Sequence, residues 1–229
     1  MEQMENIEQE KSLENIARKV AGALLKIEAV GFTPDNPRVF KSGIISPVYV
    51  DNRLLTSHPN EWEEIMNGFQ ELIKEKKLDF EAIAGIESAG ISHSAVLGYV
   101  LKEPMVYIKK EVKGHGTKKR IEGGKVTGKK VLLLEDLVST GGSSLSGVSA
   151  LREEGAKVDD CVVIVSYDLT EARENFEKSG VNLHKLTTFP IILQEAIEMK
   201  IITEDEKKII EDWYTDPWGL GKKHGFDKK

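Results

Sequence analysis

Short apolar segments that alternate with helical patterns give an α/β fold, a parallel sheet with helices on both faces, preceded by a small N-terminal lobe. Three observations predict it. Five β-prone runs recur after residue 80, at 80–87, 104–110, 129–136, 161–168 and 184–189. The intervals at 90–102, 140–155 and 169–180 carry helical patterns. Ahead of them, GFTPDNPRVFKSGIISPVYVDNR combines turn residues with runs too short for a sheet of their own.

The elements follow in order. Leu13, Ile16, Val20, Leu24 and Ile27 fall on one helical face, so residues 7–29 read as an amphipathic helix. A second helix spans 60–77, with Asn60 as the expected cap. The strand at 80–87 is followed by the helix at 90–102, and KKVLLLED by TGGSSLSGVSALREEG. Two more helices are expected near 190–200 and 204–214. The chain divides into an N-terminal helix and hood (1–60), an α/β core (61–202) and a C-terminal helix and polar tail (203–229).

Composition narrows the class. At 229 residues with 40% hydrophobic and 31% charged residues, the chain supports one good core. It holds no apolar run of membrane-spanning length, and its acidic start lacks an apolar leader segment, so a cytoplasmic setting is expected. The single cysteine, Cys161, excludes an internal disulfide and lies in the apolar run CVVIV, where a buried thiol is expected. A net charge of -6 argues against nucleic-acid binding, and no membrane partner is expected. Yet residues 109–130 hold nine Lys or Arg against two Glu, a local basic patch suited to a small anion. Residues 111–127 form a long Gly-rich connection, the length of a functional lid.

The stretch VLLLEDLVSTGGSS (131–144) concentrates the chemistry. An apolar strand runs into Glu135 and Asp136, then into the turn Ser139-Thr140-Gly141-Gly142-Ser143, which opens a helix. Carboxylates accept hydrogen bonds from a sugar diol and can assist magnesium. A glycine-rich helix start offers free amides to a phosphate. Together these features suit a ribose 5-phosphate. Two plainer readings stay open from the residues alone: a capping turn, and a solvated strand end. A nucleotide P-loop is disfavoured because no lysine follows the glycines.

VLLLEDLVSTGGSS resembles the ribose-phosphate signature of the type I phosphoribosyltransferases. KKEVKGHG (109–116) resembles the catalytic loop of the orotate phosphoribosyltransferase family, and FKSGIISPVYVDNR (40–53) its N-terminal substrate segment. GIESAGISHSA (85–95) fits the turn that meets pyrophosphate. The likeness spans roughly residues 15 to 200, with the motifs in order.

The resemblance implies a type I phosphoribosyltransferase fold with a hood lobe. It implies transfer of phosphoribosyl from 5-phosphoribosyl 1-diphosphate (PRPP) to orotate, with magnesium, in a homodimer whose loop reaches the neighbouring site. It assigns Lys113, His115 and Asp136 to catalysis. PRPP contacts fall on Lys109, Lys110, Lys113, His115, Glu135, Asp136, Leu137, Val138, Ser139, Thr140, Gly141, Gly142 and Ser143. Orotate contacts fall on Lys41, Tyr49 and Ser139. The metal is held mainly by PRPP, with Glu135 and Asp136 as candidate helpers, and Arg53 is expected in a structural ion pair. The chain departs from some relatives in two places. Ala89 stands where they carry Lys, and Leu169 where they carry Arg, both at anion contacts. The alternatives are a phosphoribosyltransferase for a purine or other base, and a non-catalytic PRPP-binding regulator. Retention of KGHG and the acidic net charge count against the regulator.

Overall fold

A computed structural model describes residues 2–39, 43–110 and 120–219. Helix α1 (Glu2–Lys26) leads to the strands β1 (Val30–Phe32), β2 (Arg38–Val39), β3 (Ile45–Ser46) and β4 (Val48–Val50). β1 pairs with β4, and β2 with β3, in two small antiparallel ladders that make the hood. A 3-10 turn, Asn52–Ser57, joins the hood to α2 (Pro59–Glu75). His58, not Asn60, occupies the cap position of α2, because Pro59 takes the first helical turn, where a missing N–H costs nothing.

The core continues through β5 (Ala82–Ile86), α3 (Ala89–Leu101), β6 (Met105–Ile108), β7 (Ile121–Glu122), β8 (Val131–Val138), α4 (Gly142–Glu153), β9 (Asp160–Ser166), α5 (Thr170–Ser179) and β10 (Asn182–Thr188). Helices α6 (Phe189–Glu198) and α7 (Glu204–Thr215) close it. The sheet order is β10-β9-β8-β5-β6-β7. All five strands expected from the sequence pair in parallel, as predicted. The addition is β7, which lies within the predicted long connection and runs antiparallel to β6 at the edge. Its two residues are too few for a pattern to announce them.

Burial explains the strands. Val131–Leu134 and Cys161–Val165 are at most 3% exposed, as parallel strands covered on both faces must be. One apolar cluster holds α1, α2, α6, α7 and the hood; the other packs α4 and α5 on the opposite face. Among the described residues, no helix is long and apolar enough to cross a membrane.

The connectivity positions the site. From β5 the chain moves outward to β6, then returns to the other side of β5 to form β8. The carboxyl ends of β5 and β8 therefore flank the point where the winding reverses, the usual ligand crevice of an open α/β sheet.

Candidate active site

β5 ends at Ile86 and turns through Glu87–Ser88, joined by a cis peptide bond, into α3. Strand and helix nearly touch at Gly85: a Cβ there would lie 2.1 Å from Ser94 Oγ and 2.5 Å from the Gly90 carbonyl oxygen, so no other residue fits. Beside it, β8 runs on past both acids to Val138. Successive strand side chains leave on opposite sides, yet the Glu135 and Asp136 side chains stay close enough to interact and line the same cleft.

Glu135 turns inward and is 5% exposed. Its Oε2 accepts from Ser143 Oγ at 3.0 Å, and its Oε1 from the Asp136 amide at 3.2 Å. Burial pushes its carboxyl well above the ordinary carboxylate range, and the adjacent Asp136 charge pushes it further. Asp136 is half-buried. Its carbonyl accepts from Asn52 Nδ2 at 2.7 Å, which ties the hood to the strand tip. Beneath lies His93, fully buried on α3, whose Nδ1 accepts from Trp62 Nε1 at 3.0 Å. Burial depresses His93 from the ordinary 6.5 to about 4, against the opposing pull of Asp136.

The turn after β8 is built for close approach. Gly141 has φ +85°, and a Cβ there would lie 2.8 Å from the Phe176 ring, so glycine is required on two counts. α4 then begins at Gly142, with no side chain capping its first amides. The first amides of a helix have no intrahelical partner, which suits them to a phosphate.

Two adjoining clefts open over this crevice. One, about 350 Å³, is polar; Asp51, Glu87, Lys110, Glu135, Asp136 and Ser143 contribute to its lining. The other, about 430 Å³, is lined by Arg38, Val39, Tyr49, Val50, Leu137, Ser139 and Tyr167. Tyr49, Val50 and Leu137 border both, so one ligand can span them. A groove of about 480 Å³ between α1 and α2 lies away from the strand ends.

The structure thus brings together Lys110, Glu135, Asp136, Leu137, Ser139, Ser143 and Tyr49. It sends others elsewhere. Lys109 Nζ ion-pairs with Glu122 at 2.8 Å across the β6–β7 edge. Val138 is 1% exposed and packs in the core, because strand alternation turns it from the cleft. The Thr140 carbonyl accepts from Asn175, while Gly141 and Gly142 contribute backbone. Lys41, Lys113 and His115 lie outside the described residues. Arg53 forms the expected ion pair: its Nε and Nη2 donate to the Asp51 carboxylate at 2.6 and 2.7 Å. Cys161 is fully buried, and burial pushes its thiol well above the ordinary value, which suits a structural role.

Sequence reasoning missed Asn52, His93, Arg38 and Tyr167. Asn52 sits in the DNR triplet, a signal that could have drawn notice. Tyr167 had none. Its ring is fully buried against Phe189 and Trp213, both centroids at 5.7 Å, so α7 backs the second cleft. Among the described residues, no three acidic, histidine or cysteine side chains converge as a metal site.

A family model, the phosphoribosyl transferase domain, matches residues 53–194. The orotate phosphoribosyltransferase of Coxiella burnetii is 40% identical over 203 residues, covering 89% of this chain and 97% of the relative. The chain belongs to the orotate phosphoribosyltransferase family. The orotate phosphoribosyltransferase of Enterococcus faecalis is also 40% identical, over 90% of this chain and 99% of its own. The crystal structure of orotate phosphoribosyltransferase from Aeropyrum pernix superposes with a TM-score of 0.70 at 28% identity, covering 80% of this chain and 99% of that one. Membership makes the chain a phosphoribosyltransferase that uses PRPP, and gives the two clefts their sense.

Proposed function

We propose that the chain joins orotate to PRPP, giving orotidine 5'-phosphate and diphosphate, a step of pyrimidine synthesis. One observation carries the reading. A polar crevice at the winding reversal, lined by Glu135, Asp136 and Ser143, adjoins a cleft lined by Tyr49 and Tyr167. The first suits a phosphorylated ribose and the second a flat base. The relatives named above support orotate as that base.

In this mechanism the α4 amides and the Ser143 region hold the 5-phosphate. Asp136 accepts a ribose hydroxyl, and Glu135, already held by Ser143, shapes the site from behind. The base nitrogen bonds to C1 as the C1–O bond to diphosphate breaks. Positive charge builds on the ribose and negative charge on the leaving group. Nothing covalent is asked of the protein; positioning and electrostatics suffice. Lys110, which lines the polar cleft, is assigned to the leaving-group charge. Lys113 and His115 are assigned to the same charge on the loop, and Lys41 to the anionic groups of either substrate. Magnesium, bound with the diphosphate, spreads the charge that collects there. The chain works as a cytoplasmic homodimer in this reading, with the loop from Lys109 closing over the partner's site.

The test is a spectrophotometric assay with PRPP and magnesium, in which orotate is offered beside adenine, hypoxanthine and uracil. Orotate consumption alone is the expected result; preference for another base overturns the reading. Lys113→Ala should lower turnover roughly a hundredfold if it acts at the leaving group. Unchanged turnover removes that role.

A further inference from the structure

The second cleft specifies more than a flat ligand. It is lined by Tyr49, Val50, Leu137, Ser139 and Tyr167. Among the described residues, Arg38 is the one charged residue that lines it. The Arg38 guanidinium lies over the Tyr49 ring, 4.3 Å from the centroid. Its backbone is fixed by pairing with Ser46 in the β2–β3 ladder.

Three other cations of the described residues are already engaged. Arg53 holds Asp51, Lys109 holds Glu122 and Lys185 holds Asp168. Among the described residues, no carboxylate comes within ion-pairing distance of Arg38. Asp51 pulls on it only through space, and that carboxylate is bound twice by Arg53. A guanidinium stacked on an aromatic ring keeps its planar fork of donors free at the edge, in the geometry that takes a carboxylate bidentately. Leu169 and Ala89 leave their own positions without a cation.

We infer that Arg38 is a specificity-determining residue that binds the carboxylate of a planar anionic base, while Tyr49 carries both the base and the guanidinium. The inference rests on the orotate reading and adds to it the group that separates orotate from an uncharged pyrimidine. Stacking on Tyr49 limits the rotamers of Arg38, so less freedom is lost on binding than for an unsupported lysine.

Orotidine 5'-phosphate and uridine 5'-phosphate differ only by that carboxylate, so their dissociation constants isolate it. Isothermal titration of the full chain should show orotidine 5'-phosphate binding at least about tenfold more tightly, as expected of a charge-assisted bidentate contact. Arg38→Met should reduce that ratio by about tenfold while moving uridine 5'-phosphate affinity less than about twofold, since the charge is removed and the stem kept. Arg38→Lys should fall between. An undiminished ratio in Arg38→Met overturns the role of Arg38 and leaves the orotate reading standing. Equal wild-type affinities overturn Arg38 as well, and if orotate is also not consumed, the orotate reading falls with it.

Discussion

β8 and β9 are neighbours in the middle of one sheet, paired in parallel over most of their length, yet they end differently. β9 is apolar and buried from Cys161 through Val165, and its last residue, Ser166, is buried too. β8 is apolar from Val131 to Leu134, then carries a buried Glu135 and a half-buried Asp136. The Glu135 carboxyl at a buried strand tip opposes folding, because it loses water and the adjacent Asp136 charge raises the cost of ionising it. Stability alone would select the β9 pattern. The difference marks β9 as scaffold and the end of β8 as site, with the Glu135 carboxyl tolerated because Ser143 and the Asp136 amide donate hydrogen bonds to it.

That contrast can be broken experimentally. The largest effect should come from the scaffold strand. Ile164→Ala in β9 should cost about 2–5 kcal/mol of stability in denaturant melts, with kcat/KM of the folded protein unchanged. A large catalytic defect without loss of stability would erase the distinction.

Next is the histidine under the tip. His93 is held neutral at about 4 against an ordinary 6.5, so it stabilises the fold fully above pH 6.5 and loses that contribution as pH falls through about 4. The unfolded chain binds the proton first, so stability rises with pH across this window. The component amounts to roughly 3 kcal/mol at most. His93→Gln should flatten that slope in melts run from pH 4 to pH 7; an unchanged slope would move the effect to other groups.

Asp136→Asn should behave in the opposite way to Ile164→Ala. It should lower kcat/KM by roughly a hundredfold, about 2.7 kcal/mol, with PRPP binding weakened and the midpoint of unfolding nearly unmoved. Unfolding on the scale of the β9 variant would assign Asp136 to structure.

The smallest effect sharpens the division within the tip itself. Ser143→Ala removes a donor to Glu135 and should cost about 1 kcal/mol. Because that bond holds the Glu135 carboxyl down, its loss should raise the group further, which titration of the acid range by NMR would detect.

The sheet was legible because buried parallel strands read as unbroken apolar runs, and VLLLED and CVVIVSYD are such runs. Glu135, Asp136 and the Gly141 turn were legible because acids and glycines interrupt that pattern at one place. Tyr49 was named as a wall for the base, and it does line both clefts. Lys109 and Val138 were named with their neighbours in the chain; the Lys109 ammonium pairs with Glu122 and Val138 is buried.

By itself, then, the sequence determined the succession of strands and helices, the residue types at the strand tip and the family to which they point. Those depend on local periodicity and on motifs contiguous in the chain. Only the tertiary structure decided that the winding reverses between β5 and β8, that Asn52 and His93 come beneath Asp136, and that Arg38 lies over Tyr49 beside Tyr167. Each of those contacts joins residues far apart in the chain or facing across separate strands. No periodicity encodes such a meeting; it follows from packing two apolar clusters against the two faces of one sheet.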